Sequence, residues 1–144
     1  MSRVPETLLG FDLGEKRIGV AVGQSVTGTA SPLCLVRGRA FKPDWSVVDG
    51  LVETWRPDAL VVGLPLNMDG TEQLLTRRAR RFGNQLTARY RLPVHFADER
   101  LSSREARDRL SSTDRIGDAL DPVAAQVILE GWFADQPAPE SSGG

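Results

Sequence analysis

Three acidic residues stand where an acid with only a solvating role is out of place. Asp12 interrupts the apolar run Leu8-Leu9-Gly10-Phe11-Asp12-Leu13, Glu99 directly follows the short segment Pro93–Phe96 and its Ala-Asp continuation, and Asp121 opens the last apolar-periodic stretch. If the elements that carry them are neighbours, three carboxylates converge on one point, where they repel one another and are costly to desolvate. Hard divalent cations with oxygen ligands, Mg²⁺ or Mn²⁺, relieve that conflict. A carboxylate cluster holding two such ions suits phosphodiester cleavage, one ion activating water and the other stabilising the leaving oxygen. Ordinary roles stay open at this point: Asp121 can be a helix cap, and Glu99 can pair with Arg100 or Arg104. Asp12 is harder to account for, because strands disfavour Asp and burial demands a partner.

Charge adds a second feature. Between Gln73 and Ala97 there are six arginines (77, 78, 80, 81, 89 and 91) and no acid. On one long helix they are expected to form a single positive surface in a chain whose net charge is only −1. Arginine binds phosphate in a two-pronged way, and such a stripe is an electrostatic footprint for a nucleic-acid backbone; a solvated helix flank is the alternative. His95 is the only histidine and falls in a strand pattern, so it reads as a core or edge residue. Cys34 is the only cysteine. A disulfide and a cysteine-based zinc cluster are therefore excluded, a Cys-His pair is unattractive with one residue of each kind, and no local motif supports a serine triad.

The elements that must position these residues follow from periodicity. Leu8 to Leu13 and the alternating Ile18, Val20 and Val22 read as a hairpin turning at Gly14-Glu15-Lys16, its second strand half-buried. Leu33–Arg37 is a third strand. Asp44 caps a helix with Val47, Val48, Leu51, Val52 and Trp55 at helical spacing, ended by Pro57. Leu60–Leu64 is apolar on both faces, as in a central strand covered by helices on each side. A loop with Pro65, Asn67 and Asp69-Gly70 leads to a long amphipathic helix from about Thr71, marked by Leu75, Ala79, Phe82, Leu86 and Tyr90. Pro93–Phe96 is a further strand. Ser102 and Glu105 form a capping-box pattern for the next helix. Asp121-Pro122 starts a final one with Val123, Val127, Ile128 and Trp132 on one side. Strands first, then alternating helix and strand, imply an α/β chain with a mixed sheet flanked by helices.

With 144 residues, 40% of them apolar, the chain is one domain's worth with a single core. Residues 1–134 are expected to form that domain, and the Pro/Ser/Gly-rich 135–144 to be a disordered tail. No signal-peptide pattern and no run of about 20 apolar residues is visible, so a cytoplasmic protein with no membrane contact is expected.

Four blocks, in order, resemble one family. Gly10-Phe11-Asp12-Leu13-Gly14 with Arg17-Ile18-Gly19-Val20-Ala21 is similar to the opening of the YqgF (RuvX) family. Gly63 to Thr71, Asp98-Glu99-Arg100-Leu101-Ser102 and Asp121-Pro122-Val123-Ala124-Ala125 resemble its later blocks. The resemblance runs from about Leu8 to Phe133. It implies an RNase H-like fold related to Holliday-junction resolvases and a nuclease that matures the 5′ end of pre-16S ribosomal RNA. Asp12, Glu99 and Asp121 are then the catalytic, metal-holding acids, with Mg²⁺ or Mn²⁺ as cofactor. Two departures accompany it. Pro122 stands where many relatives have Ser, and Ile116–Leu120 lacks a lysine often seen there, with Arg115 a substitute and Asp118 a fourth nearby acid.

On this reading Arg100, Arg104, Arg77, Arg78 and Arg81 steer the substrate backbone, and the loop from Asn67 to Thr71 borders the cleft. The partners implied are structured RNA (pre-16S rRNA) in ribosomal precursor particles, or branched DNA. A resolvase needs two active sites on a two-fold axis, so a homodimer favours DNA and a monomer favours RNA. A non-catalytic RNA-binding assembly factor is a further alternative, against which the complete acid trio argues. An actin-like ATPase needs a second lobe for which the chain is too short, and no Walker-type glycine loop is present.

Overall fold

The computed structural model describes residues 6–40, 42–99 and 122–135. Strands β1 (Thr7–Leu13) and β2 (Arg17–Gln24) form the expected hairpin, with Asp12 opposite Gly19. β3 (Thr29–Arg39) is longer at both ends than the expected Leu33–Arg37 and pairs with β2 along its length. Pro32 lies inside that extension. It is accommodated because β3 shifts register between Val20 and Ala21 and is paired on its other side only at its far end, by the short β4 (Lys42–Pro43); edge strands tolerate proline. The chain continues through α1 (Trp45–Trp55), β5 (Ala59–Leu64), α2 (Leu74–Tyr90), β6 (Val94–Asp98) and α3 (Pro122–Asp135).

The strands form one six-stranded sheet in the order β4-β3-β2-β1-β5-β6. β1, β5 and β6 run parallel, and β1 to β4 are antiparallel. The sheet is therefore mixed and covered by helices, as expected. Asp44 accepts from the Ser46 amide at 3.1 Å and so caps α1. α1 and α2 both close with an arginine in the left-handed region, Arg56 and Arg91, whose amides return to Val52 and Thr87. The tail from 136 onward and the expected Ser102–Glu105 cap lie outside the described residues.

The two sheet faces differ in side-chain size, and that difference sets the layers. Leu9, Phe11, Leu13, Ile18, Val20, Leu60, Val62 and Leu64 point to one side and pack with Val48 of α1 and with Ala79, Phe82 and Leu86 of α2. The other side carries Leu8, Ala21, Ala30, Ala59, Val61 and Ala97 under Ala125, Ile128 and Leu129 of α3. β2 is not the half-buried strand that its alternation implies; Gly19, Ala21 and Gly23 are buried as well as Ile18 and Val20. The reason is α3, which lies on the face that reads as a solvent face because its residues are small. The stripe of α3 that meets the sheet is Ala125, Ile128 and Leu129, with Trp132 and Phe133 packed alongside, whereas Val123 and Val127 are half-buried.

A β-carbon on Gly23 would lie 2.8 Å from Leu129 Cδ2 and 2.8 Å from Phe133 Cε2. Gly23→Ala is expected to destabilise the fold by about 1–3 kcal/mol through overpacking, measurable as a lower urea midpoint.

On the opposite face α1 and α2 are clamped together. Arg89 donates from Nε and Nη2 to the two Asp49 oxygens at 2.8 and 2.9 Å, lies 4.9 Å over the Trp45 ring, and is joined by the Tyr90 hydroxyl donating to Asp49. The Arg89 guanidinium first, and the Tyr90 hydroxyl second, hold the Asp49 carboxyl down at about 2. A carboxyl depressed on folding contributes stability above its unfolded value, near 3.8, that is lost as pH falls toward 2. Asp49→Asn is expected to flatten the stability-against-pH curve between those two values, as followed by chemical denaturation in acid.

Candidate active site

Because β1, β5 and β6 are parallel, their carboxyl ends lie side by side along one edge of the sheet. Phe11 pairs with Val62, and Gly63 with Ala97, so Asp12 is next in register to Gly63. Neighbouring strands stand about 5 Å apart. Alternation decides the faces: Leu9, Phe11 and Leu13 belong to the α1/α2 side, so Asp12 shares the α3 side with Leu8 and Gly10. On β6, Val94 and Phe96 face α2, which puts His95, Ala97 and then Glu99 on the α3 side with Asp12.

Gly63 is the seat of Glu99. A β-carbon at Gly63 would lie 2.7 Å from Glu99 Oε2 and 2.6 Å from Ile128 Cδ1. The Glu99 carboxylate thus rests on the bare backbone of β5, beside the strand that carries Asp12, and both acids are half-buried. α3 runs antiparallel to β1, with Ala125 and Leu129 over Gly10, and Phe133 over Gly23 at the opposite end. Its first turn therefore points to the Asp12 end of the sheet. Pro122 is the first helical residue, as expected, and Asp121, the residue before it, lies outside the described residues together with Arg100, Arg104, Arg115 and Asp118.

Two oxygen-donor acids on neighbouring strands of one face, beside a glycine whose missing side chain leaves room, fit a hard divalent cation. Glu99 also lines a cleft of about 130 Å³ between β6 and α3, with Phe96, Ile128 and Trp132. His95 stacks on Trp132 with ring centres 4.9 Å apart, an exposed edge histidine as its strand pattern implied.

The loop after β5 is organised by its own hydrogen bonds. The Asn67 amide and side chain both donate to Thr71, at 2.9 Å each, and the Thr71 amide donates to Asp69 Oδ1 at 3.0 Å. Thr76 and Gln73 side chains donate to the Pro65 carbonyl and tie the loop to the first turn of α2. Asn67 and Thr71 thus stand at the same sheet edge as the acids.

The arginines are placed differently. α2 packs on the sheet face opposite Asp12 and Glu99, and its five arginines, with Arg91 just past its end, do not form one surface. Arg80 is paired with Glu72 at 2.8 Å, and Arg89 with Asp49. The acids that break the stripe lie outside the helix, one just before it and one on α1, where a window of sequence cannot see them. Arg77 and Arg81 remain exposed one turn apart on the crest of α2, and Arg78 is half-buried on its flank. What sequence reasoning missed at the site is Gly63. Its signal was a glycine inside the otherwise bulky run Ala59–Leu64.

RuvC of T. thermophilus in complex with a Holliday junction substrate is similar in structure, with a TM-score of 0.51 at 16% identity over 89% of this chain and 93% of that one. A second Thermus thermophilus RuvC structure matches with a TM-score of 0.50 at 14% identity, covering 88% and 93%. The fold is RNase H-like, an α/β domain with carboxylates at the ends of its parallel strands. The RuvX family model, described as Holliday junction resolvase, matches residues 6–135. A protein of Azotobacter vinelandii named "Putative pre-16S rRNA nuclease" is 52% identical over 138 residues, spanning 93% of this chain and 97% of its own. One of Nitrosococcus oceani with the same name is 50% identical over 135 residues, spanning 92% and 89%. The chain belongs to the RuvX family, a family of nucleases.

Gly63→Ala forces the Glu99 carboxylate off its seat. On the reading that Glu99 holds a divalent metal, misplacing it by about 1 Å can cost about 100-fold in rate; a loss of that order in nuclease turnover is then expected, with weaker Mg²⁺ binding by titration calorimetry.

Proposed function

We propose that the protein is a divalent-metal-dependent endonuclease that matures the 5′ end of pre-16S ribosomal RNA, acting in the cytoplasm on ribosomal precursor particles. The observation that supports this reading is the Glu99 carboxylate seated over Gly63, with Asp12 next in register on the neighbouring strand. The 52% identical relative named as a pre-16S rRNA nuclease supports the choice of substrate. Asp12, Glu99 and Asp121 hold Mg²⁺ or Mn²⁺. When bound, the ion supplies Lewis-acid activation of water and neutralises charge growing on the scissile phosphate.

The chain's own residues do the rest. α3 and Gly63 fix the Glu99 carboxylate and exclude water from its apolar side. Asn67 and Thr71 border the path of the strand. Arg77, Arg78, Arg81, Arg100 and Arg104 offset phosphate charge along the flanks. The family description favours a second reading, cleavage of a four-way DNA junction with the same carboxylates. A junction requires two sites on a two-fold axis, so that reading needs a homodimer and the RNA reading is met by a monomer.

Wild-type protein with Mg²⁺ or Mn²⁺ is expected to cut a pre-16S 5′-leader RNA, and Asp12→Asn to bind that RNA without cutting it. Cleavage of a four-way DNA junction alone moves the substrate to DNA. Absence of cleavage of either, with binding intact, leaves a non-catalytic assembly factor.

A further inference from the structure

On the side of β1 away from Glu99, the sheet carries a second concave surface that the carboxylates do not use. The β1–β2 turn and the end of β3 enclose an open cleft of about 570 Å³ lined by Lys16, Arg17, Arg37 and Arg39, with Glu15 as the one acid among them. The whole chain has a net charge of −1, so a surface where four cations face one carboxylate is a strong local concentration. Lys16, Arg37 and Arg39 are exposed and form no ion pair among the described residues.

The cleft is a built surface. Arg17 and Arg37 are partners across β2 and β3, and Arg39 is opposite Lys42. Arg37 and Arg39 are two apart on one strand and therefore share a face. The Gly38 amide donates to the Lys16 carbonyl and the Asp44 amide to the Arg37 carbonyl, both at 2.9 Å, which locks the end of β3 against the hairpin turn and the start of α1. A β-carbon at Gly38 would lie 2.8 Å from the Lys42 carbonyl oxygen, so β4 folds back tightly only over a glycine. The backbone that carries the cations is thereby already ordered, so binding has only their side chains left to fix.

Position gives the surface its meaning. The turn begins two residues after Asp12, and Arg37 lies two strands from β1, about 10 Å away. Small-molecule sites are mostly apolar and enclosed, and this cleft is open and cationic. Guanidinium forks beside an ammonium suit the oxygens of successive phosphates. We propose that Lys16, Arg17, Arg37 and Arg39 form a phosphate track for the nucleic-acid strand that leads away from the cut. Its place on the substrate rests on the nuclease reading, whereas its affinity for a polyphosphate backbone does not.

The test is fluorescence anisotropy without divalent metal, from about 50 to 200 mM salt, with a labelled RNA duplex carrying a 5′ single-stranded leader and with a labelled four-way DNA junction. Each phosphate contact contributes about 0.7–0.9 to the slope of log affinity against log salt. The Lys16→Gln/Arg37→Gln/Arg39→Gln variant is expected to lose about two units of slope and to bind at least tenfold more weakly. The probe that shows the loss identifies RNA or DNA as the source of the phosphates. Arg56→Gln/Arg91→Gln, exposed at the ends of α1 and α2, is the comparison. An unchanged slope in the triple variant, or an equal loss in that comparison, overturns the track. If the triple variant fails to fold, Arg39→Glu reads the same slope at one exposed position. Loss of slope in a protein that cuts nothing supports the track and sinks the nuclease reading. Cleavage dependent on Asp12 with a wild-type slope in the triple variant does the reverse.

Discussion

Helix α3 lies on a sheet face from which nearly every large side chain has been removed. Gly10, Ala21, Gly23, Ala30, Ala59, Gly63 and Ala97 make up most of that face, and the helix answers with Ala125 and Leu129, both fully buried. Close packing of this kind leaves no slack, because interiors are as dense as organic crystals and an added methyl group has nowhere to go. The other face follows the opposite rule, with Phe11 and Phe82 meeting edge to face at 5.5 Å and Trp45 stacked on Phe82. The bulky face holds the buried aromatic rings, and the bare face supplies position.

The same bareness explains how two acids come to share one spot. A carboxylate beside a large aliphatic neighbour would be pushed into solvent or buried without partners, at a cost of several kcal/mol. Over Gly63 there is room for Glu99 to lie against the backbone while its oxygens stay within reach of the Asp12 strand. Charge is sorted by the sheet as well. Acids occupy the α3 face at the carboxyl edge, the α2 arginines lie behind them, and the cations of the β1–β2 turn and β3 stand to one side.

Much of this is legible in the amino-acid sequence. The hairpin, the fully apolar β5, the capped α1 and the amphipathic α2 all follow local rules of period and capping, and each is where those rules place it. Asp12 and Glu99 are legible because an acid inside or at the end of an apolar run breaks its pattern. What stays hidden depends on residues far apart in the chain. The burial of Gly19, Ala21 and Gly23 requires a helix about a hundred residues later. The extension of β3 through Pro32 requires knowing which edge is open. The division of the arginine stripe requires Asp49, forty residues before Arg89. Gly63 matters through the side chain it lacks, and a missing side chain leaves no mark in hydrophobic periodicity.

The distance in sequence between β1 and α3 also orders events in time. A ribosome adds about 5–20 residues per second, so Asp12 emerges roughly 6 to 25 s before the end of α3. Until then Leu8, Val61 and Ala97 lack their cover, and no Ile128 stands against the seat of Glu99. A growing chain therefore carries its first acids with no finished pocket around them. Chemistry that needs both acids held in place waits for α3, made long after the strand that carries Asp12.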